Sequence, residues 1–360
     1  MLEEFKQSLQ LDPDNVEVYL ELGRVYREKN LYSLAIEEFN KAGQNPSYSQ
    51  EAQLELGRTY QKLGNSDLAL KELKLAMDSN PSDVRVHLEI SRVCRKNKDY
   101  DSAIRELKEV VELNPLDSEL HFELGRTYRE KEDYNLALKE FKRAIKLDPN
   151  NAEMRLELGR IYREKENYAL ASEELRQAVA LGLDSAALHF ELGRMHVGQN
   201  EFSLSLDEFN KALEMDPDNC ELHFELGKIH RRDNNYSLAL QKLKKAQELG
   251  LDTEHLHLEL GRTYREMDER SLALEEFKKV LNLAPDSREV HLELGRTYRE
   301  QNNCALALEE LTQAFKLGLD TAVLHFELGR TYLEMEDYSA AKEKFEKALV
   351  LDPGNIQIQA

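Results

Sequence analysis

The tetrapeptide Glu-Leu-Gly-Arg, once with Lys in its last place, returns through this chain at one fixed interval. Its glycine stands at Gly23, Gly57, Gly125, Gly159, Gly193, Gly227, Gly261, Gly295 and Gly329, each 34 residues from the next once Ser91 fills the single gap. Length alone, at 360 residues, would suggest two or three globular domains. Ten copies without an insertion set that aside, because a period of this size marks a solenoid in which each repeat buries its apolar face on the next.

With repeat one starting at Val16, the glycine is position 8 of 34. Position 7 is Leu or Ile in every copy. Position 11 is Tyr in Tyr26, Tyr60, Tyr128, Tyr162, Tyr264, Tyr298 and Tyr332, position 20 is Ala everywhere except Ser205, and position 24 is Phe or Leu. Apolar residues at 3, 7 and 11, and again at 20, 21, 24 and 28, follow helical spacing and predict two amphipathic helices per repeat. Small residues at 8 and 20 mark where the two helices cross, since axes ~8–10 Å apart leave no room there for a large side chain. The prolines, Pro13, Pro46, Pro81, Pro115, Pro149, Pro217, Pro285 and Pro353, all fall at repeat ends, where they stop the second helix.

In repeat four the pattern reads His121, Leu124, Gly125, Tyr128, Ala137, Phe141, Pro149, and it closely resembles the tetratricopeptide repeat family over essentially the whole chain. The departure is position 4, often Trp in the family and here His in seven repeats. The resemblance implies an all-α fold, a right-handed superhelical α-solenoid of antiparallel helix pairs. It further implies a non-catalytic scaffold that binds an extended peptide or partner helix on a concave surface lined by the first helices. The organisation expected is a second helix of a truncated leading repeat over 1–15, ten repeats over 16–355, and the start of an incomplete repeat over 356–360. These uncovered ends suggest a fragment of a longer array, or ends that stack into homo-oligomers.

From repeat five onward the repeat ends alternate. Leu175, Leu243 and Leu311 at position 24 accompany the glycine ends Gly182, Gly250 and Gly318, while Phe209, Phe277 and Phe345 accompany the proline ends. A 68-residue unit has been duplicated, with core volume matched to turn type.

If the family's geometry holds, positions 2, 5, 6, 9, 12 and 13 border the groove. Position 6 is Glu in all ten repeats, position 9 is Arg except for Lys228, and position 12 is Arg in seven. Counted repeat by repeat, these positions sum to −1, whereas the chain carries −20. A nearly neutral groove inside an acidic shell would steer a ligand of acidic character inward. Two readings of the Glu–Arg rows stand together: Arg92, Arg126, Arg160 and their equivalents hold carboxylates or carbonyls of a bound peptide, or they pair with glutamates of their own and neighbouring repeats. The basic position 9 and the Glu at position 6 match neither the asparagine-based carboxylate clamp nor the asparagine ladder known in the family.

Repeats six and seven break the pattern most. His196 and His230 stand at position 11, Val197 at position 12, Gly198 at position 13 and Ser205 at position 20; beside them lie Phe190, Arg194, Phe224, Lys228, Arg231 and Arg232. An apolar floor flanked by cations is the composition of an anchor site. Repeat three, with Arg85, Arg92, Arg95 and Lys96, forms a second basic spot.

The position-4 histidines do not form a metal site among themselves, because successive copies sit on helices ~10 Å apart. They are expected to fill space between the helices as buried neutral rings with depressed pKa. The 3 cysteines occur in no Cys-x-x-Cys or Cys/His ligand spacing, which fits a reducing, cytoplasmic compartment. No cofactor motif, catalytic triad context, signal sequence or membrane-spanning run is present, and a charge of −20 argues against the RNA-reading pentatricopeptide alternative. Ligands are expected to be proteins or peptides, acidic with apolar anchors. The remaining alternatives are a self-assembling solenoid, or the recognition segment of a larger enzyme.

Overall fold

A computed structural model describes residues 2–354 and contains only helices and turns among them, 21 helices in all. The expected incomplete repeat at 356–360 lies outside the described residues. The chain forms two compact units, Met1–Asp184 and Ser185–Ala360, where the sequence suggested a single solenoid over 16–355. The boundary falls at the junction of repeats five and six.

Each repeat is a helical hairpin. In repeat four the first helix is Ser118–Glu130 and the second Tyr134–Leu147; in repeat eight they are Glu254–Glu266 and Arg270–Leu283. The expected leading helix is present as Leu2–Leu11. Polar caps fix where most helices start. The side chains of Asp117 and Asp133 in repeat four, and of Asn151 and Asn167 in repeat five, each accept a backbone N–H one turn in. The first helix closes on a left-handed residue: Asn30 donates to the Arg27 carbonyl at 3.0 Å and Leu31 to the Tyr26 carbonyl at 2.9 Å, and the same pair of bonds recurs down the array. Nine non-glycine residues hold that position at φ of 56–66°, and Gly64 is its one glycine.

The crossing point is where the sequence placed it. A Cβ added to Gly125 would lie 2.8 Å from the Phe141 ring, and one added to Gly193 would lie 2.4 Å from Phe209. Position 24 therefore packs directly on position 8. The alanines at position 20 and the Phe or Leu at position 24 are buried in almost every repeat, with Val86, Leu120, Met154 and Leu256 at position 3 beside them. The glycine ends are left-handed turns, with Gly182, Gly250 and Gly318 at φ of 87–95°.

The position-4 side chains do more than fill space. Their donors reach back to the turn before the repeat: the Tyr19 hydroxyl to the Pro13 carbonyl at 2.8 Å, His87 Nε2 to Pro81 at 2.8 Å, His121 to Pro115 at 3.1 Å, Arg155 to Pro149 at 3.1 Å and His223 to Pro217 at 3.0 Å. At glycine ends an aspartate replaces the carbonyl, so His257 Nε2 meets Asp252 at 2.7 Å and His325 meets Asp320 at 2.6 Å. The other ring nitrogen meets a glutamate of the second helix in the pairs His87–Glu106, His121–Glu140 and His257–Glu276, 2.6–2.7 Å apart. The expectation of neutral rings with depressed pKa fails for His87, whose hydrogen bond to Glu106 outweighs burial and raises its pKa. It holds for His223, where burial dominates and Lys242 takes the glutamate's place.

Candidate peptide-binding site

The charged rows form a ladder with a fixed direction. Position-9 and position-12 arginines of one repeat converge on the position-6 glutamate of the next, which also meets its own position-9 arginine. Glu55 receives Arg24 at 3.2 Å, Arg58 at 3.2 Å and Arg27; Glu123 receives Arg95 at 2.7 Å, Arg92 at 3.5 Å and Arg126 at 3.7 Å. Glu293 receives Arg262 at 2.8 Å, Arg296 at 3.6 Å and Arg265. Burial alone would raise the pKa of Glu55, Glu123 and Glu293, but the surrounding guanidinium groups overcome it and hold all three below the ordinary carboxylate value. Arg92, Arg126 and Arg160 belong to this ladder, each paired with the glutamate three residues before it.

The ladder has a gap in the Ser185–Ala360 unit. Its first two helices there are Ala186–Gly198 and Phe202–Met215, and the next repeat follows with Cys220–Arg232. Position 12 of repeat six is Val197, which cannot reach the following glutamate. Glu225 is left with Lys228 at 2.9 Å as its one ion pair among the described residues. One repeat further on, the ladder resumes, with Arg231 bonded to Glu259 at 2.7 Å.

Where an arginine would lie there is instead a cavity of about 350 Å³, lined by Val197, Phe202, Glu225, Lys228, Ile229, Arg231, Arg232 and Glu259. Its floor is aliphatic and aromatic. Its rim is charged: Lys228 and Arg231 are paired with Glu225 and Glu259, Lys228 lies 5.1 Å from the Phe224 centroid, and Arg232 stacks on Phe202 with its guanidinium carbon 4.0 Å from the ring centroid. Burial, followed by Lys242, lowers the pKa of neighbouring His230, which adds no positive charge at neutral pH.

Of the residues singled out in the sequence, the structure brings Val197, Lys228, Arg231 and Arg232 to this cavity. Phe190 packs instead in the adjoining core, 5.7 Å between centroids from Phe209, with Arg194 stacked over it at 5.6 Å. Phe224 packs against the core of Leu243, Ala246, Leu256 and Leu260. Arg92, Arg126 and Arg160 lie in the other unit. Sequence reasoning missed Phe202, Ile229 and Glu259. Phe202 stands at position 17, aromatic in most repeats, so its residue type carried no contrast. A larger cavity of about 570 Å³ is lined by the apolar Leu258, Val280, Ala284, Pro285 and Leu317 together with Glu254, His255, Arg288 and Glu289, and it has no Phe or Tyr in its wall.

This helical hairpin repeat is matched by known sequences. The tetratricopeptide repeat profile covers residues 2–49, 54–118, 156–219, 190–250 and 258–314, and related repeat profiles cover 125–162 and 322–355. The chain belongs to the tetratricopeptide repeat family. No curated protein matches the sequence significantly. Among solved structures, the tetratricopeptide repeat array resembles the Cut9–Hcn1 hetero-tetramer of the APC/C (16% identity, TM-score 0.61, 99% of this chain and 80% of that one). It also resembles human IFIT1 with PPP-AAAA (18%, 0.59, 94% and 90%) and Pseudomonas aeruginosa pilF (24%, 0.50, 58% and 95%). At these identities the likeness is one of fold. Tetratricopeptide repeat arrays are in general non-catalytic scaffolds for protein interaction. None of the helices described here is long and apolar enough to cross a membrane.

Proposed function

We propose that this array captures an extended segment of a partner protein at the notch between repeats six and seven. An apolar side chain of the ligand enters the cavity over Val197, Phe202 and Ile229, and an acidic group of the ligand meets Arg232, with Arg194 on the preceding repeat's first helix. The observation that carries this reading is the gap in the ladder. Most other position-9 and position-12 arginines are committed to glutamates, whereas Arg194 and Arg232, like Arg330 of the last repeat, contact only aromatic rings among the described residues. A guanidinium stacked over a ring keeps the N–H donors at its edge available to a carboxylate. The cavity supplies the apolar contact that a charged groove alone lacks.

The likeness of fold to human IFIT1 with PPP-AAAA raises a nucleic-acid reading. The charge of −20 and the pairing of most groove arginines favour an acidic peptide over a phosphate backbone. Self-assembly and service to a larger enzyme are the competing readings.

A displayed-peptide selection on the wild-type chain, counter-selected on Val197→Arg, tests the proposal. The substitution restores the residue most repeats carry at position 12 and fills the notch. Peptides pairing an acidic with an apolar residue, bound by wild type and lost on the variant, would support capture here. Peptides held equally by both would place recognition elsewhere on the array. Concentration-dependent mass in the absence of any peptide binding would favour self-assembly.

A further inference from the structure

Repeat three carries a side-chain cluster that no other repeat reproduces. His87, on the first helix Val84–Lys96, faces Glu106 and Glu109 on the second helix Tyr100–Leu113. One donor atom from each of the three lies within 4.8 Å of the others. Histidines of successive repeats are too far apart to share an ion, whereas these donors are one imidazole and two carboxylates across a single hairpin.

Three features make this triad a cation site. First, His87 is 2% exposed, and its Nε2 lies 2.8 Å from the Pro81 carbonyl. That carbonyl can only accept, so Nε2 carries a proton and Nδ1 is the nitrogen turned toward the carboxylates. Donation of the second ring N–H to a backbone carbonyl is the arrangement that orients metal-bound histidines. Second, Nδ1 stands 2.7 Å from Glu106 Oε2. In the metal-free chain that contact is a hydrogen bond, and it holds the imidazole nitrogen and the carboxylate on the same side of the hairpin, where a small shift lets both reach one ion.

Third, the neighbouring charge is reversed. The residue three after the paired glutamate is Lys41, Arg143, Lys211 or Lys279 in four other repeats. Lys41 binds Glu38 at 3.1 Å and Lys279 binds Glu276 at 2.8 Å, so each glutamate is neutralised by its own hairpin. In repeat three that position is Glu109, an added anion where those four repeats place a cation.

We propose that His87 Nδ1, Glu106 and Glu109 bind a divalent transition-metal ion of the zinc class, with water completing the coordination. Imidazole with carboxylate is a donor set that suits zinc, and three protein ligands leave an open position. Any proton on His87 Nδ1 leaves as the metal arrives, so binding releases acid and weakens as pH falls. The repeat fold already supplies the hairpin, and the single exchange of a basic residue for Glu109 completes the site.

The test is a zinc titration of the full chain by calorimetry, with metal content measured after desalting. Two variants with helicity confirmed by circular dichroism accompany it. Glu109→Lys gives repeat three the residue common elsewhere and sets a cation in the site, and its zinc binding is expected to be lost. Arg143→Glu creates the same triad in repeat four, where His121 Nδ1 is 2.7 Å from Glu140 and Nε2 is 3.1 Å from the Pro115 carbonyl. The wild type is expected to bind one zinc ion, Glu109→Lys none, and Arg143→Glu two. A wild type that binds no zinc, or either variant keeping the wild-type stoichiometry, would overturn the assignment.

Discussion

Ser205 is the exception in the alanine row, and the structure shows what it costs. The residue is fully buried and its hydroxyl has no hydrogen-bond partner, where an alanine methyl would fit without a polar atom to desolvate. Ser205→Ala is expected to raise stability by about 1 kcal/mol, read from the denaturant midpoint with an unchanged slope. His223 gives the pH prediction at this scale. Its folded pKa is lowered, by burial first and then by Lys242 and Lys245, against the hydrogen bond to Pro217. The neutral ring is therefore favoured by the fold. Its contribution is full above the unfolded value of about 6.5 and is lost as pH falls through the lower folded value. Between pH 7.5 and 5 the wild type should lose more stability than His223→Gln, whose amide does not titrate over that range. Equal loss in both would show that other groups govern the acid limb.

Helix crossings and the charge ladder govern the hairpin scale. Gly193→Ala forces a methyl into the Phe209 ring, and a cost of about 1–3 kcal/mol is expected from overpacking, measured by thermal or urea unfolding. Glu293 is 3% exposed and gathers three arginines. Glu293→Gln removes the charge they share and should cost about 2 kcal/mol, the scale of a charge-assisted hydrogen bond whose partners keep some water. Because its carboxyl pKa is lowered in the fold, the contribution is present above the unfolded value of about 4.3 and disappears as pH falls through the folded one. The crossing was legible in the sequence because a missing side chain leaves a position-specific mark: Gly at 8, Ala at 20, bulk at 24. The ladder was only half legible. Spacing of three identified the pairing within a helix, but the bonds to the next repeat span 28 and 31 residues and depend on how hairpins stack. The role of position 4 was misread because burial was visible in the pattern, whereas the carbonyl and carboxylate waiting for the ring were not.

Across the array, unfolding should not be one event. Stability in a repeat protein is a sum over hairpins and the interfaces between neighbours. The Ser185–Ala360 unit has one weak interface, where Val197 interrupts the ladder and Ser205 leaves a buried hydroxyl unmet. Amides of Phe202–Met215 are expected to exchange hydrogen faster than those of Arg270–Leu283, the equivalent helix of repeat eight, when followed by mass spectrometry. Equal protection would show that the aliphatic floor compensates for the missing ion pairs. The candidate site was legible as a departure from a rule: ten aligned copies made Val197 and Gly198 conspicuous. Its depth was not legible, because Phe202, Ile229 and Glu259 conform to the repeat and contribute only through their placement around the void.

The ladder also has a grammar. Between repeats, the position-9 and position-12 arginines reach forward to the position-6 glutamate of the next, so a module's two faces are not interchangeable. A hairpin spliced in downstream must offer glutamate at its sixth place, and one spliced in upstream must offer arginine at its ninth and twelfth. Repeats obeying this syntax could be cut and rejoined in order, while a reversed or mismatched module would set like charges against each other at the joint.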